Sequence, residues 1–566
     1  MYSVVNSAAS AGIGSFLFRV ETDCAPGMPC FEMVGLLSSE VRESRERVRV
    51  ALSNCGISLP SRQITVNLSP AGLRKAGAGF DLPIAVGVLL GCEILPPGAA
   101  DGIIVIGELG LGGEVKPVRG ILPIVREGLA HGYRRFLLPE ANAEEGSVFA
   151  EAEIIPVATL SAAIGYLSLL PAERNQLIPP YARSTPIVDD DIVMPDYAEI
   201  IGQTQAKHAC EIAAAGFHNL LFVGPPGTGK SMLAQCLPSI LPPLSREESL
   251  EVSGIYSVVG QLKNGRLMKY RPFVSPHHTV SQNALAGGGS FPKPGAITLA
   301  HRGVLFLDEL PEFGRSCIET LRQPLEDRKV MIQRTSGSYV FPAEFMLVAA
   351  MNPCPCGFYP DRNRCTCTPA MIKSYLGRIS GPILDRIDLC TIVEQVDIAT
   401  LYGHPDDSSS GRMAAKQEQH LGTGNSSVNI TRRLGPDTGS SQVDITRMQY
   451  SNTGAPKVDI TRKSYSSAQM LERIMNARAI QEERYAGSSL RFNADLRPAD
   501  IEKYCHLGPK EQEYMERIYK KMSLSLRGYH RILKVSRTIA DLDGSTDIKR
   551  EHLAEAVSYR ASEILK

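Results

Sequence analysis

The chain has 566 residues, 43% of them hydrophobic, with 60 basic residues set against 60 acidic ones. That length exceeds what one hydrophobic core supports and predicts about three domains. The balanced charge excludes a globally basic nucleic-acid binder, so any such contact must come from a local patch or an assembled ring.

The first residues, MYSVVNSAASAGIGSFLFRV, lack a charged region followed by an apolar one. The longest apolar runs, such as LPIAVGVLLGC at 82–92, are too short to cross a bilayer. An odd number of cysteines, 13, in a chain of this size argues against a secreted disulfide scaffold. The expectation is a soluble cytoplasmic protein without a membrane partner.

Residues 1–168 mix β-rich runs (RQITVNL at 62–68, GIIVIG at 102–107) with amphipathic helical patterns, which predicts a compact α+β domain. A link over 169–197 follows and ends in PPYARSTPIVDDDIVMPDY. Residues 198–403 alternate apolar strand runs with helices, the pattern of a multidomain α/β chain's parallel-sheet core. Residues 404–463 are polar and carry three copies of a 15-residue repeat: TGNSSVNITR (423–432), TGSSQVDITR (438–447) and TGAPKVDITR (453–462). Each copy offers only a Val and an Ile to a core, too little for a solenoid, so a disordered insertion is expected. Residues 464–566 return to a helical pattern broken by Gly and Pro, which predicts a C-terminal helical lid.

The chemistry lies in the third region. NLLFVGPPGTGKS (219–231) sets an apolar strand before Gly224, Pro225, Pro226, Gly227, Thr228, Gly229, Lys230 and Ser231. The glycines let backbone N–H groups converge on phosphate oxygens, and Lys230 neutralises the β/γ-phosphates. Ser231 takes Mg²⁺, and the following helix N-terminus adds its dipole. GVLFLDEL (303–310) places Asp308 at a strand end beside that Mg²⁺, and Glu309 next to it is suited to polarise the attacking water. A third run, Phe345–Met351, ends in Asn352, a neutral amide placed to orient water against the γ-phosphate. ATP and Mg²⁺ are the expected cofactors, and ATP hydrolysis the expected reaction. Arg386 in GPILDRIDL and Arg527 in SLSLRGYHRIL complete the set, one from a neighbouring subunit and one from the lid.

RPFVSPHHTVSQNALAGGGSFPKPGAITLAHRGVLFLDELPEF (271–313), with LRQPLED and VAAMNPCPCG after it, closely resembles the ComM/YifB-type Mg-chelatase-like AAA+ ATPases. VRESRERVRVAL (41–52), FDLPIAVGVL (80–89) and LRGYHRILKVSRTIADL (526–542) extend the resemblance over nearly the whole chain except 404–463. It implies a hexameric ring ATPase related to magnesium chelatase and the MCM helicases, with a DNA branch-migration activity during recombination or natural transformation. By that resemblance Asn352 is sensor 1, Arg386 the trans arginine finger and Arg527 sensor 2. It also implies two pore-facing loops, 271–290 with His277 and His278, and the turn Arg334–Tyr339. Lys269, Arg271, Lys329 and Arg334 would supply them with phosphate-directed charge. Adjacent histidines on an extended loop face opposite ways, which disfavours a metal pair at His277–His278.

The N-terminal domain resembles the Lon-type protease fold in GELGLGGEVKPVRGILPI (107–124) and HGYRRFLLPE (131–140). The stretch matching the protease serine, KAGAGFDLP (75–83), has no Ser, and Leu122 stands where the lysine base would, so acyl transfer has no route. The domain is instead expected to serve as a platform for DNA or assembly. A chelatase-like motor remodelling a protein partner is the alternative reading. Its D-x-S-x-S pattern occurs at Asp406, Ser408 and Ser410, but inside the polar insertion and without a strand to aim it.

Cys354, Cys356, Cys365 and Cys367 form two C-x-C pairs directly after Asn352. Their spacing suits a tetrahedral thiolate zinc site, structural and not catalytic, that would brace the segment between Asn352 and Arg386.

Overall fold

A computed structural model describes residues 1–72, Lys75, 77–183, 188–189, 194–289, 292–334, 337–396 and 465–560. The repeat-bearing stretch 404–463, with Asp406, Ser408 and Ser410, lies outside the described residues.

The chain begins with a seven-stranded mixed sheet whose order is Cys30–Val34, Gln63–Ser69, Gly14–Ala25, Tyr2–Ala11, Ile103–Val105, Arg135–Pro139 and Glu153–Val157. Period-2 patterning sets its faces: Ile64, Val66 and Leu68 are buried while their neighbours are less so. Tyr2–Ala11 and Gly14–Ala25 pair antiparallel from Tyr2 opposite Asp23 to Ala11 opposite Gly14, across a tight Gly12–Ile13 turn. The helix Asp81–Gly91, DLPIAVGVLLG, is buried at every position, as a helix apolar all round must be.

The second sheet has five strands, all parallel, in the order Phe273–Val274, Val304–Leu307, Met346–Met351, Leu220–Val223 and Leu389–Ile392. The sequence-expected runs at 220–223, 304–307 and 346–351 are buried at every residue, as strands covered on both faces require. Thr204–Gly216 and Lys230–Ile240 cover one face, and the C-terminal helices join the same core: Met470, Ile474 and Ile539 cluster with Leu233 and Leu237.

The two sheets are tied through the helix Arg246–Val259. The Gly120 amide donates to the Ser257 carbonyl at 3.1 Å, and the Ser257 hydroxyl donates to Glu145, which also accepts from the Leu122 amide at 2.9 Å. Leu122, the position without a lysine base, is buried in an apolar cluster with Val148 and Leu267. The expected link over 169–197 is anchored as well. The Tyr181 hydroxyl donates to Glu144 at 2.7 Å, and the fully buried Tyr197 donates to the Leu233 carbonyl at 2.8 Å. No helix among the described residues is long and apolar enough to cross a membrane.

Inside the first domain the carboxylate of Asp81 is fully buried and meets Arg47 twice, at 2.7 Å and 3.0 Å, while the Leu109 amide donates to it at 3.2 Å. Removing the cation leaves that carboxylate unpaired. Arg47→Ala is expected to destabilise this domain by about 3 kcal/mol, measured by urea unfolding. Asp81→Asn, which keeps a hydrogen-bonding side chain without the charge, is expected to cost less.

Candidate functional site

Parallel register brings the catalytic candidates to one edge. Leu220–Val223 pairs with Val348–Met351, and Leu305–Leu307 with Leu347–Ala349, so Gly224, Asp308 and Asn352 all leave the sheet at its carboxyl end. There the loop 224–231 curls back on its own lysine. The Lys230 ammonium donates to the carbonyls of Gly224 at 2.8 Å and Pro225 at 2.7 Å, and to Asn352 Oδ1 at 3.2 Å. Burial pushes this ammonium down from its ordinary pKa against the pull of Asp308 and Glu309.

The Ser231 hydroxyl donates to Asp308 Oδ2 at 2.6 Å, which pairs the two expected Mg²⁺ ligands. Asp308 Oδ1 accepts from the Glu309 amide at 2.9 Å. Glu309 itself has φ +52°, a left-handed conformation that turns its side chain out of the strand direction. Gly224 is required by crowding: a Cβ there would lie 2.2 Å from the Val393 carbonyl oxygen. Thr228 closes the loop through a 3.0 Å bond from its hydroxyl to the Pro225 carbonyl.

Two contacts here were not legible in the sequence. Gln203 bonds to the Thr228 carbonyl at 3.3 Å and the Glu394 carbonyl at 2.6 Å, bridging the phosphate loop to the end of the fifth strand. His278 Nδ1 lies 3.4 Å from Glu309 Oε2, with its ring edge toward Phe313. The expected pore-facing histidine therefore stands beside the acidic residue of the strand end.

Several expectations need correction. Arg271 does not offer its charge outward: the residue is 6% exposed. Its guanidinium donates to the carbonyls of Pro242 and Arg302, both at 2.8 Å, and to Glu248 at 3.0 Å. A buried guanidinium must have such partners, and its burial keeps it from reaching a phosphate backbone. His277 and His278 do not face opposite ways either. The segment turns there, the Thr279 amide donates to His277 Nδ1 at 3.4 Å, and the two rings lie 4.1 Å apart. Arg334 is exposed at the end of the hairpin Lys329–Arg334/Gly337–Pro342, close to Gly288 of the other expected loop.

Arg386 and Arg527 are brought together, but away from the phosphate loop. Both meet Glu326: Arg386 in a close ion pair that leaves its side chain 8% exposed, Arg527 at 3.7 Å while 67% exposed. They line a groove of about 1220 Å³ between the core and the C-terminal helices, with Arg497, Arg531 and Lys534 on its wall. None of residues 224–231 lines that groove.

The four cysteines converge. Their sulfurs all lie within 4.8 Å of one another, the tightest being Cys354 and Cys356 at 3.3 Å. The Phe358 backbone N–H pulls the Cys356 thiol down to about 6, so the cluster presents a thiolate near neutral pH.

Comparison with known proteins places this architecture. The family described as "Magnesium chelatase, subunit ChlI" matches residues 196–401, "Subunit ChlI of Mg-chelatase" matches 20–142, and "Magnesium chelatase, subunit ChlI C-terminal" matches 464–560. The competence protein ComM of Haemophilus influenzae is 39% identical over 99% of this chain and 97% of its own length. The uncharacterized protein YifB of Salmonella typhimurium is 36% identical over the same shares. The magnesium-chelatase 38 kDa subunit of Rhodobacter capsulatus is 27% identical over 28% of this chain and 50% of its own. Family membership implies ATP, Mg²⁺ and ATP hydrolysis. With full-length relatives at this identity and a parallel core bearing the phosphate loop, the chain belongs to the ComM/YifB family of magnesium-chelatase-like AAA+ ATPases.

Proposed function

We propose that this protein is a ring-forming, ATP-driven DNA translocase that promotes branch migration in homologous recombination or natural transformation. One observation carries the ring: Arg386 and Arg527 share Glu326 in a groove that contains none of their own chain's phosphate loop. Two cations so placed serve a γ-phosphate only when a second copy brings its loop to that groove. A head-to-tail contact of this kind, repeated, closes a ring such as a hexamer.

Within one subunit Lys230 and the amides of 224–231 hold the phosphates, while Ser231 and Asp308 hold Mg²⁺. Glu309 polarises the attacking water, and Asn352, already bonded to Lys230, orients it. The neighbour's Arg386 and Arg527 stabilise the charge that develops. Arg334 and His277, near the tips of the two loops, are the residues we assign to a DNA backbone; Lys329, expected to add charge there, lies at the base of the hairpin opposite Pro342 and lines the groove of Arg386 and Arg527. The N-terminal sheet, Lon-like in the reading of its sequence, acts as a platform docked on the helix that leads into the first loop.

Arg386→Ala is expected to lower ATP turnover at least about a hundredfold, because an arginine finger contributes that much or more. Mixing it with Lys230→Ala subunits should restore part of the activity, since one parent supplies the loop and the other the arginine. Two dead parents that stay dead when mixed would place Arg386 in its own subunit's site.

ATP hydrolysis should rise with single-stranded DNA and rise most with a four-way junction, against Glu309→Gln as the inactive control. Turnover indifferent to every DNA would point to a chelatase-like motor with a protein partner and overturn the translocase reading.

A further inference from the structure

We propose that Cys354, Cys356, Cys365 and Cys367 bind one zinc ion that holds the phosphate loop in its nucleotide-receiving shape. This rests on reading residues 224–231 as the nucleotide site.

The donor set fits a single ion. Thiolates about 2.3 Å from a tetrahedral zinc lie about 3.8 Å from one another. Here Cys354 and Cys365 are 3.8 Å apart, Cys356 and Cys365 3.6 Å, Cys354 and Cys356 3.3 Å, and all four sulfurs fall within 4.8 Å. None is in a disulfide. The outer shell suits a charged sulfur cage. The Tyr359 amide donates to Cys354 Sγ at 3.4 Å, and the Arg364 and Arg362 guanidinium groups sit over the rings of Phe358 and Tyr359.

The surroundings call for a staple. Residues 352–368 contain neither helix nor strand. Their apolar cluster, Cys354, Cys365, Cys367 and Ile372, is separate from the larger cores. A stretch this long without secondary structure is uncommon inside a compact domain, and a metal crosslink would fix it in one shape.

What it is stapled against gives the function. Gly357, in the first turn of the knuckle, has φ +87°, and a Cβ there would lie 2.5 Å from Pro226 Cδ of the phosphate loop. On the other side Arg364 donates to Gln395 at 3.1 Å, in the segment whose Val393 carbonyl crowds Gly224 and whose Glu394 carbonyl accepts from Gln203. At the knuckle's start Asn352 bonds Lys230. The knuckle thus touches the loop at Pro226, at its lysine and, through 393–395, behind Gly224. Opening the knuckle releases all three contacts.

The test uses the full-length protein. Elemental analysis is expected to find about one zinc and no iron per chain. Dialysis against 1,10-phenanthroline, with Mg²⁺ restored afterwards, should weaken binding of a fluorescent ADP about tenfold, and added zinc should restore it. Cys356→Ser should behave like the stripped protein. Gly357→Ala separates clamp from fold: it should keep its zinc yet lose about the same tenfold in affinity, because its Cβ displaces Pro226. Purified protein without zinc, or with iron in its place, would overturn the metal assignment. Zinc removal or Gly357→Ala with unchanged nucleotide affinity would overturn the clamp. Zinc-loaded wild type that binds no nucleotide at all would sink the nucleotide site itself, a result distinct from both.

Discussion

Everything at the candidate site depends on the parallel register of three strands, Leu220–Val223, Val304–Leu307 and Met346–Met351. Because Val223 pairs with Met351 and Leu307 with Ala349, the residues that follow them emerge side by side at one edge. Lys230 then joins the loop after Leu220–Val223 to Asn352 after Met346–Met351, and Ser231 joins it to Asp308 after Val304–Leu307. A shift of one residue in any pairing would move every side chain to the opposite covered face, where it was not shaped to pack, and carry a functional residue away. The register is held by side chains buried on both faces, so the chemistry is anchored by apolar packing rather than by its own polar contacts.

The same economy explains how the second domain's charges are used. Glu248 caps its own helix through Ser245, accepts from Arg271 at 3.0 Å and pairs with Arg491 of the C-terminal region at 3.0 Å. One carboxylate therefore ties the core, the segment entering the first expected loop and the C-terminal helices. His218 and Thr538, bonded at 2.7 Å, make a second core-to-C-terminus link.

Docking of the N-terminal sheet follows another route. Ser257 and Glu145 meet where burial pushes the Glu145 carboxyl up from its ordinary pKa, against the opposing pull of the Ser257 hydroxyl and the Leu122 amide that donate to it. Leu122 packs beside it. The place where the protease resemblance calls for a base is thus part of the joint between domains.

Local pattern alone determined the phosphate loop, its strand and helix, the strand ends carrying Asp308 and Asn352, and the pairing of the cysteines in sequence. Those signals lie within a few residues, where backbone sterics and apolar periodicity leave few alternatives. Local pattern could not settle where a charge finds its partner. Arg271 reads like a surface cation until Glu248 and two carbonyls surround it, and Glu326 reads as one acid of LRQPLED until Arg386 and Arg527 converge on it. Gln203 and the contact of Gly357 with Pro226 are likewise invisible in the linear chain. Long polar side chains reach partners tens or hundreds of residues away, and only the packed arrangement of elements decides which of them is near enough to be met.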